Sequence, residues 1–375
     1  MAELPWAAST GRTASVIDRE DARGIVPEYR GVSIRRGADS KRELSADDID
    51  AAAQELLDPL RAKDERKEAE LDRLARAKWL VPLQVGSVDE CLLEVYETAI
   101  AASARVAQLI VDAARAKPEL VLCLATGGTP TQVYRFLAKA AVADRELLSR
   151  IRVVKLDEWV GLPMDHSSTC EAYLQDAILP HLGLQEGDGR YLSFDSMAPD
   201  AGAECLRVKA ALEAWGGVDV ALLGLGLNCH LGLNEPCADV SAIAGVHVAE
   251  LAESTQGHPM LSNYGVECTR GVTLGLDALM SANETLLLVT GAHKAAPLQA
   301  MLSGPPSSRR PASLLRRHAG ARIVCDAACG ASQPMAAASL PSDEVKAEIA
   351  AIEAARLELA ELDAQIAAAK LGAEA

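Results

Sequence analysis

Five continuous apolar runs, several of them followed by polar or glycine-bearing motifs, constrain the fold of this chain more than any other feature of its sequence. They are LVLCLAT (120–126), RIRVVKL (150–156), VDVALLGLG (218–226), TLLLVTG (285–291) and ARIVCDA (321–327). All are of strand length, and none alternates apolar with polar residues. Such runs suit a parallel sheet buried on both faces. Amphipathic helical patterns separate them, supplying the crossovers that parallel strands require. The expected architecture is α/β: a doubly wound, mainly parallel, Rossmann-like sheet with helices on both faces, occupying 80–330. Ligands in such sheets bind beyond the carboxyl ends of the strands.

The flanks read differently. Residues 1–45 mix Gly, Pro, Arg and Asp without a hydrophobic period, which suggests an extended, partly disordered lead-in. From 46 to 79, helix formers and opposite charges three and four apart predict a solvated helical pair broken near Pro59. After a linker from 331, the tail SDEVKAEIAAIEAARLELAELDAQIAAAKLG places Ile349, Ile352, Leu359 and Ile366 near heptad spacing. Arg356 and Asp363 interrupt that seam, so a short docking or self-association helix is expected. The chain thus divides into 1–79, 80–330 and 331–375, with helical extensions at both ends.

Composition narrows the function. Hydrophobic residues make up 49% but aromatics only 3%, so the core must be built mainly from Ala, Leu and Val. A formal charge of −16 argues against a nucleic-acid partner, and an anionic ligand would need locally placed donors. Nine cysteines are scattered singly without a CxxC pair, which favours reduced, buried thiols. No apolar run reaches membrane-span length and no secretory h-region opens the chain, so a cytoplasmic protein without a membrane partner is expected.

Four segments that follow strand-like runs carry chemistry. In ATGGTPTQVYRF, the glycines Gly127 and Gly128 let backbone amides approach a ligand, Thr126 and Thr129 add hydroxyls, and Pro130 opens a helix whose N-terminus favours anions. A Gly-Gly turn also serves as a plain connection. In KLDEWVGLPMDHSSTCEAYL, Asp157 and Glu158 follow a strand directly. Such carboxylates either cap a helix or, when partly desolvated, act as a general base. In GLGLNCHLGLNEP, His230 sits among glycines with Glu235 five residues on, a pairing suited to proton shuttling at neutral pH. A structural histidine is the plainer alternative. No HxH, HExxH or Cys/His cluster supports a metal site. In LLLVTGAHKAAPLQAML, Lys294 opens a helix and can add a point charge to a phosphate.

In this order and spacing the four motifs resemble the glucosamine-6-phosphate deaminase/isomerase family, within the wider group that includes 6-phosphogluconolactonases. GLGLNCHLGLNEP and TRGVTLGL (269–276) are most similar to its galactosamine-6-phosphate isomerase branch. The resemblance implies an aldose–ketose isomerisation with loss of the C2 amine from a small sugar phosphate, without metal or cofactor. It implies Asp157 as the base between C2 and C1, and His230, supported by Glu235, as the group that opens the ring. Thr126, Gly127, Gly128, Thr129 and Lys294 would hold the phosphate, and a homo-oligomer is a further expectation.

Three departures bear on this reading. Asn228 stands where many members carry aspartate, though the galactosamine branch shares the asparagine, which can orient but not accept a proton. Cys229 replaces a glycine, costly if the position needs positive φ. His258 stands where deaminases place a phosphate-binding arginine, with Arg270 as a substitute. Lactone hydrolysis and sugar-phosphate binding without turnover stay open as rivals. Against the lactonase stands Leu-Gly-Leu-Asn-Glu-Pro after the histidine, where lactonases carry a Ser-Leu-Phe-Pro-like stretch.

Overall fold

The computed structural model describes residues 12–15, 33–36, 66–74, 80, 82–184 and 187–330. Two short strands, β1 (Arg12–Ser15) and β2 (Ser33–Arg36), pair antiparallel as a unit of their own. The expected helical break near Pro59 and the C-terminal helix with its heptad seam fall outside the described residues.

All five apolar runs form strands: β5 (Val121–Leu124), β6 (Arg152–Lys155), β9 (Val220–Gly224), β12 (Glu284–Val289) and β13 (Ala321–Asp326). Three further strands complete an eight-stranded sheet: β3 (Gln84–Val88), β4 (Cys91–Tyr96) and β8 (Tyr191–Leu192). Their order is β3-β4-β13-β12-β9-β5-β6-β8. Every pairing is parallel except β3 with β4, which closes one edge as an antiparallel pair.

The absence of alternation in the runs has the cause anticipated from sequence: both faces are buried. Along β5, Val121 and Cys123 face one apolar cluster while Leu122 and Leu124 face another. The first cluster is covered by the helix Ala201–Ala214 through Cys205, Val208 and Leu212. The second is covered by Ala99–Ala116 and Thr131–Ala143 through Val106, Ile110, Val133 and Leu137. Leu71 and Leu74, in the helix at 66–74, also enter this second cluster. The core therefore begins ahead of residue 80. Thr98 and Asp200 accept backbone N–H groups at the starts of two of these helices, which sets where they begin.

A feature not anticipated from sequence is a second, antiparallel sheet. Its strands are β7 (Asp157–Trp159), β10 (His247–Glu250) and β11 (Arg270–Thr273), in the order β10-β11-β7. Only Leu156 separates the end of β6 from the start of β7, so a single segment serves both sheets. The connection from β10 to β11 carries Thr255 and His258 to the end of the main sheet where the ligand-side loops emerge.

Candidate active site

The main sheet is wound in opposite directions on either side of β5 and β9. From β5 the chain moves outward through β6 and β8, and from β9 it moves outward through β12 and β13. Crevices form at such a reversal beyond the carboxyl ends of the strands. Here the adjacent strands β12, β9, β5 and β6 lead respectively to Lys294, His230, the 126–129 turn and Asp157. These side chains and loops line one cleft of about 430 Å³. Sequence separations of up to 168 residues collapse into neighbouring strand ends.

The turn after β5 is shaped for an anion. Gly127 has φ +103, which a side chain would oppose, and leaves room for the His258 ring over it. The helix Thr131–Ala143 follows Pro130 without a side-chain cap, so its first-turn amides are available to a ligand. Lys294 reaches across from β12, its Nζ donating to the Leu225 carbonyl at 2.6 Å. Burial lowers its pKa. His258 completes this end. Its Nδ1 accepts the Met260 amide at 3.2 Å, so the neutral ring carries its proton on Nε2 as a donor. Burial, followed by the charges of His230 and Lys294, pushes its pKa down to about 4.

Arg270 does not line the cleft. It is exposed and pairs with Glu250 at the far end of β11, three residues from Thr273, which pairs with Asp157. That separation is about 10 Å along a strand.

At the other end, alternation along β7 sends the two neighbouring carboxylates to different places. Asp157 faces the cleft, whereas Glu158 is fully buried. Glu158 accepts hydrogen bonds from Lys155 Nζ (2.7 Å) and from the amides of Trp159, Cys170 and Glu171 (2.8 to 2.9 Å). It thereby fastens the start of the helix Cys170–Ala177 behind the site. Lys155 is equally buried, and its ammonium also reaches Glu171 and the Phe194 carbonyl. Burial, then the charge of Glu158, raises the Asp157 pKa to about 7, against the pull of the Cys170 thiol, His230 and Lys155. A carboxylate tuned to neutral pH suits a general base.

His230 lies over Gly226, where an added Cβ would come within 2.2 to 2.5 Å of the ring. Its Nδ1 is 3.4 Å from Glu235 Oε2 and 3.2 Å from Thr255 Oγ1. The Thr255 hydroxyl donates its only proton to Glu235 Oε1 at 2.5 Å, so toward His230 it must accept. The neutral imidazole therefore carries its proton on Nδ1 and presents Nε2 as a base. Burial would raise the Glu235 pKa, but hydrogen bonds from His230, Thr255 and Asn228 outweigh it and hold the group ionised below the ordinary range. Asn228 joins the pair, its amide donating to Glu235 at 2.7 Å and its carbonyl accepting the His230 amide at 3.1 Å.

Cys229 does adopt the backbone that favours glycine, with φ +68. Its side chain is buried in the core, Sγ lying 3.3 Å from the Pro297 carbonyl, and it does not line the cleft. Thr255 and Cys170 escaped the sequence reading. Thr255 comes from a segment with no motif of its own, and Cys170 lies within a motif but acquires a role only through its tertiary neighbours. Among the described residues, no group of three or more His, Cys, Asp or Glu is placed to hold a metal ion.

The chain is similar to known proteins in sequence and in fold. A family model described as glucosamine-6-phosphate isomerases/6-phosphogluconolactonase matches residues 94–324. The chain is 40% identical over 233 residues to the Escherichia coli protein named "Putative deaminase AgaI", spanning 62% of this chain and 90% of that one. It is 34% identical over 223 residues to a glucosamine-6-phosphate deaminase of Streptomyces avermitilis, spanning 59% and 84%. A solved monomeric glucosamine-6-phosphate deaminase of the NagB superfamily superimposes with a TM-score of 0.60 at 29% identity, covering 64% of this chain and 99% of the other. A Trypanosoma brucei 6-phosphogluconolactonase shares the fold, with a TM-score of 0.51 at 22% identity.

Proposed function

This chain belongs to the glucosamine-6-phosphate isomerase/6-phosphogluconolactonase family, and from that premise we propose that it converts a hexosamine 6-phosphate to a ketohexose 6-phosphate and ammonia. One observation carries the reading. A neutral-pH carboxylate and a carboxylate-backed imidazole base share a cleft with a glycine turn, a helix N-terminus and a lysine suited to phosphate.

The phosphate would rest on the 126–129 turn, between Lys294 and the Nε2–H of His258. Binding energy from that unreactive end positions the sugar carbons against the acid–base groups. Nε2 of His230 takes the O1 hydroxyl proton and returns it to the ring oxygen as the C1–O5 bond breaks, leaving an open-chain aldehyde. Glu235 and Thr255 hold the imidazole in the required tautomer, Asn228 orients Glu235, and the Glu235 charge favours the transient imidazolium. Asp157 removes the C2 proton while the carbonyl oxygen O1 gains one, giving an enolamine, and then delivers its proton to C1 while the amine gives one up, leaving a hydroxymethyl group at C1 and an imine at C2. Addition of water and departure of ammonia give the ketone. No redox partner is needed, since oxidation at C2 is balanced by reduction at C1.

The test is to incubate the purified chain with glucosamine 6-phosphate and with galactosamine 6-phosphate and to assay ammonia. Release from either, strongly preferred over the unphosphorylated sugar, is expected. Hydrolysis of a sugar-phosphate lactone without ammonia would replace this reading by the lactonase one. Saturable binding with neither product would make the chain a sugar-phosphate binder.

A further inference from the structure

Two residues lining the cleft, Thr126 and Asp157, share a buried neighbour that the proposed chemistry does not use. Thr126 Oγ1, in the phosphate turn, donates to Cys170 Sγ at 3.1 Å, and Cys170 Sγ donates to Asp157 Oδ1 at 3.6 Å. Cys170 is buried and is the first residue of its helix, held there by its own amide on Glu158 and by the Thr169 cap. Burial, then the charges of Glu158 and Asp157, raises its pKa well above that of an ordinary thiol, so it remains a protonated donor. One hydroxyl and one thiol thus connect the anion-binding turn to the base.

We propose that Cys170 is a positioning residue linking anion capture to the base: a phosphate that draws the Thr126 hydroxyl to itself weakens the thiol's hold on Asp157. This rests on reading the 126–129 turn as the phosphate site. The direction follows from hydrogen-bond cooperativity. A sulfur that accepts a hydrogen bond is a better S–H donor, so losing the Thr126 proton makes it a poorer one. The Asp157 carboxylate is then less stabilised and takes a proton more readily. The base would be quieted in the empty site and released when the phosphate arrives. The other groups facing Asp157 are Glu158 and Lys155 along its own segment, Cys123 from β5, Tyr134 from the helix Thr131–Ala143, and His230 from the turn after β9.

Infrared difference spectroscopy can titrate the protonated carboxyl band of Asp157, identified by its loss in D157N, in the full chain and without turnover. Comparing wild type, C170S and C170A, the Asp157 titration should move down in the serine variant and up in the alanine variant, by about half a pH unit each, the scale of one weak thiol hydrogen bond. A serine substitution is nearly isosteric and guards against a mere packing effect. Adding inorganic phosphate should shift the wild-type titration upward by more than it shifts C170A or T126V. The Cys170 S–H stretching band should move to higher frequency in wild type and stay fixed in T126V. Equal phosphate-induced shifts in all three proteins, or an unmoved S–H band, would overturn the proposal. Absence of any phosphate effect would overturn both this coupling and the phosphate reading of the turn. A responsive band with no ammonia release from either amino sugar would retain the coupling and reject the deaminase.

Discussion

Two residues show how local chemistry is fixed by surroundings. Asp157 has its pKa raised to about 7, chiefly by burial. A carboxylate raised above its unfolded value contributes stability that is complete below the ordinary carboxylate range and is lost as pH rises through about 7. Replacing Asp157 by Asn removes the ionising group. The variant should melt higher than wild type at pH near 8, with the gap closing toward pH near 5, while ammonia release falls by about 10² to 10⁴-fold. Thermal melts across that pH range and a turnover assay check both halves. Cys229 presents the opposite case: it departs from glycine at a position with φ +68, yet its thiol is packed in the core and away from the cleft. Relief of backbone strain in Cys229→Gly is offset by glycine's greater unfolded-state entropy and by lost packing. Unfolding free energy should change by less than about 1 kcal/mol, without a gain in turnover. Denaturant titration alongside the ammonia assay decides this. The sequence raised positive φ here only as a condition, through the glycine that the resembling family carries at this position. The direction of the side chain was not legible, because it depends on Pro297, 68 residues away.

At the scale of elements, the turns after the strands do the positioning, and their glycines act by what they leave empty. Gly226 is a floor for the His230 ring, and any Cβ there would overlap it. Gly226→Ala should therefore displace the imidazole and lower kcat by about 10²-fold or more with a smaller change in KM. Steady-state kinetics separate the two; an unchanged kcat would show that the ring is not held by this contact. The same logic explains why Asp157 and Glu158, indistinguishable as a dipeptide, part company. Strand alternation turns one to the cleft and the other into the buried anchor of the helix Cys170–Ala177. That anchor also determines where the Cys170 thiol lies. Each motif was ambiguous alone; the four were readable together because they follow strand-like runs in a family's order and spacing. Thr255 was not, since an isolated threonine carries no signal until the β10–β11 connection brings it to Glu235 and His230.

Across the whole molecule, a chain with a formal charge of −16 gathers groups suited to an anion at the reversal of strand order, where Lys294, His258 and a helix N-terminus converge. The sheet that creates this point depends on cover from both sides, including Leu71, which is fully buried although it precedes the first of the apolar runs. Leu71→Ala should cost about 2–5 kcal/mol of unfolding free energy, as deletion of a fully buried leucine side chain does. A loss no larger than that of an exposed substitution would show that this helix contributes little to the core.

The sequence by itself determined five strands of the main sheet, their parallel pairing and the four turns that follow them, because period, glycine placement and charge are properties of short segments. It carried Asp157, His230, Glu235 and Lys294 as candidates for the same reason. Only the tertiary structure decided that Glu158 is an anchor, that Arg270 lies away from the cleft, that Cys229 faces the core, and that Thr126, Cys170 and Asp157 form a chain of contacts. Those facts depend on the order of strands in the sheet and on which face each residue meets, and such long-range pairings leave no mark on the segments they join.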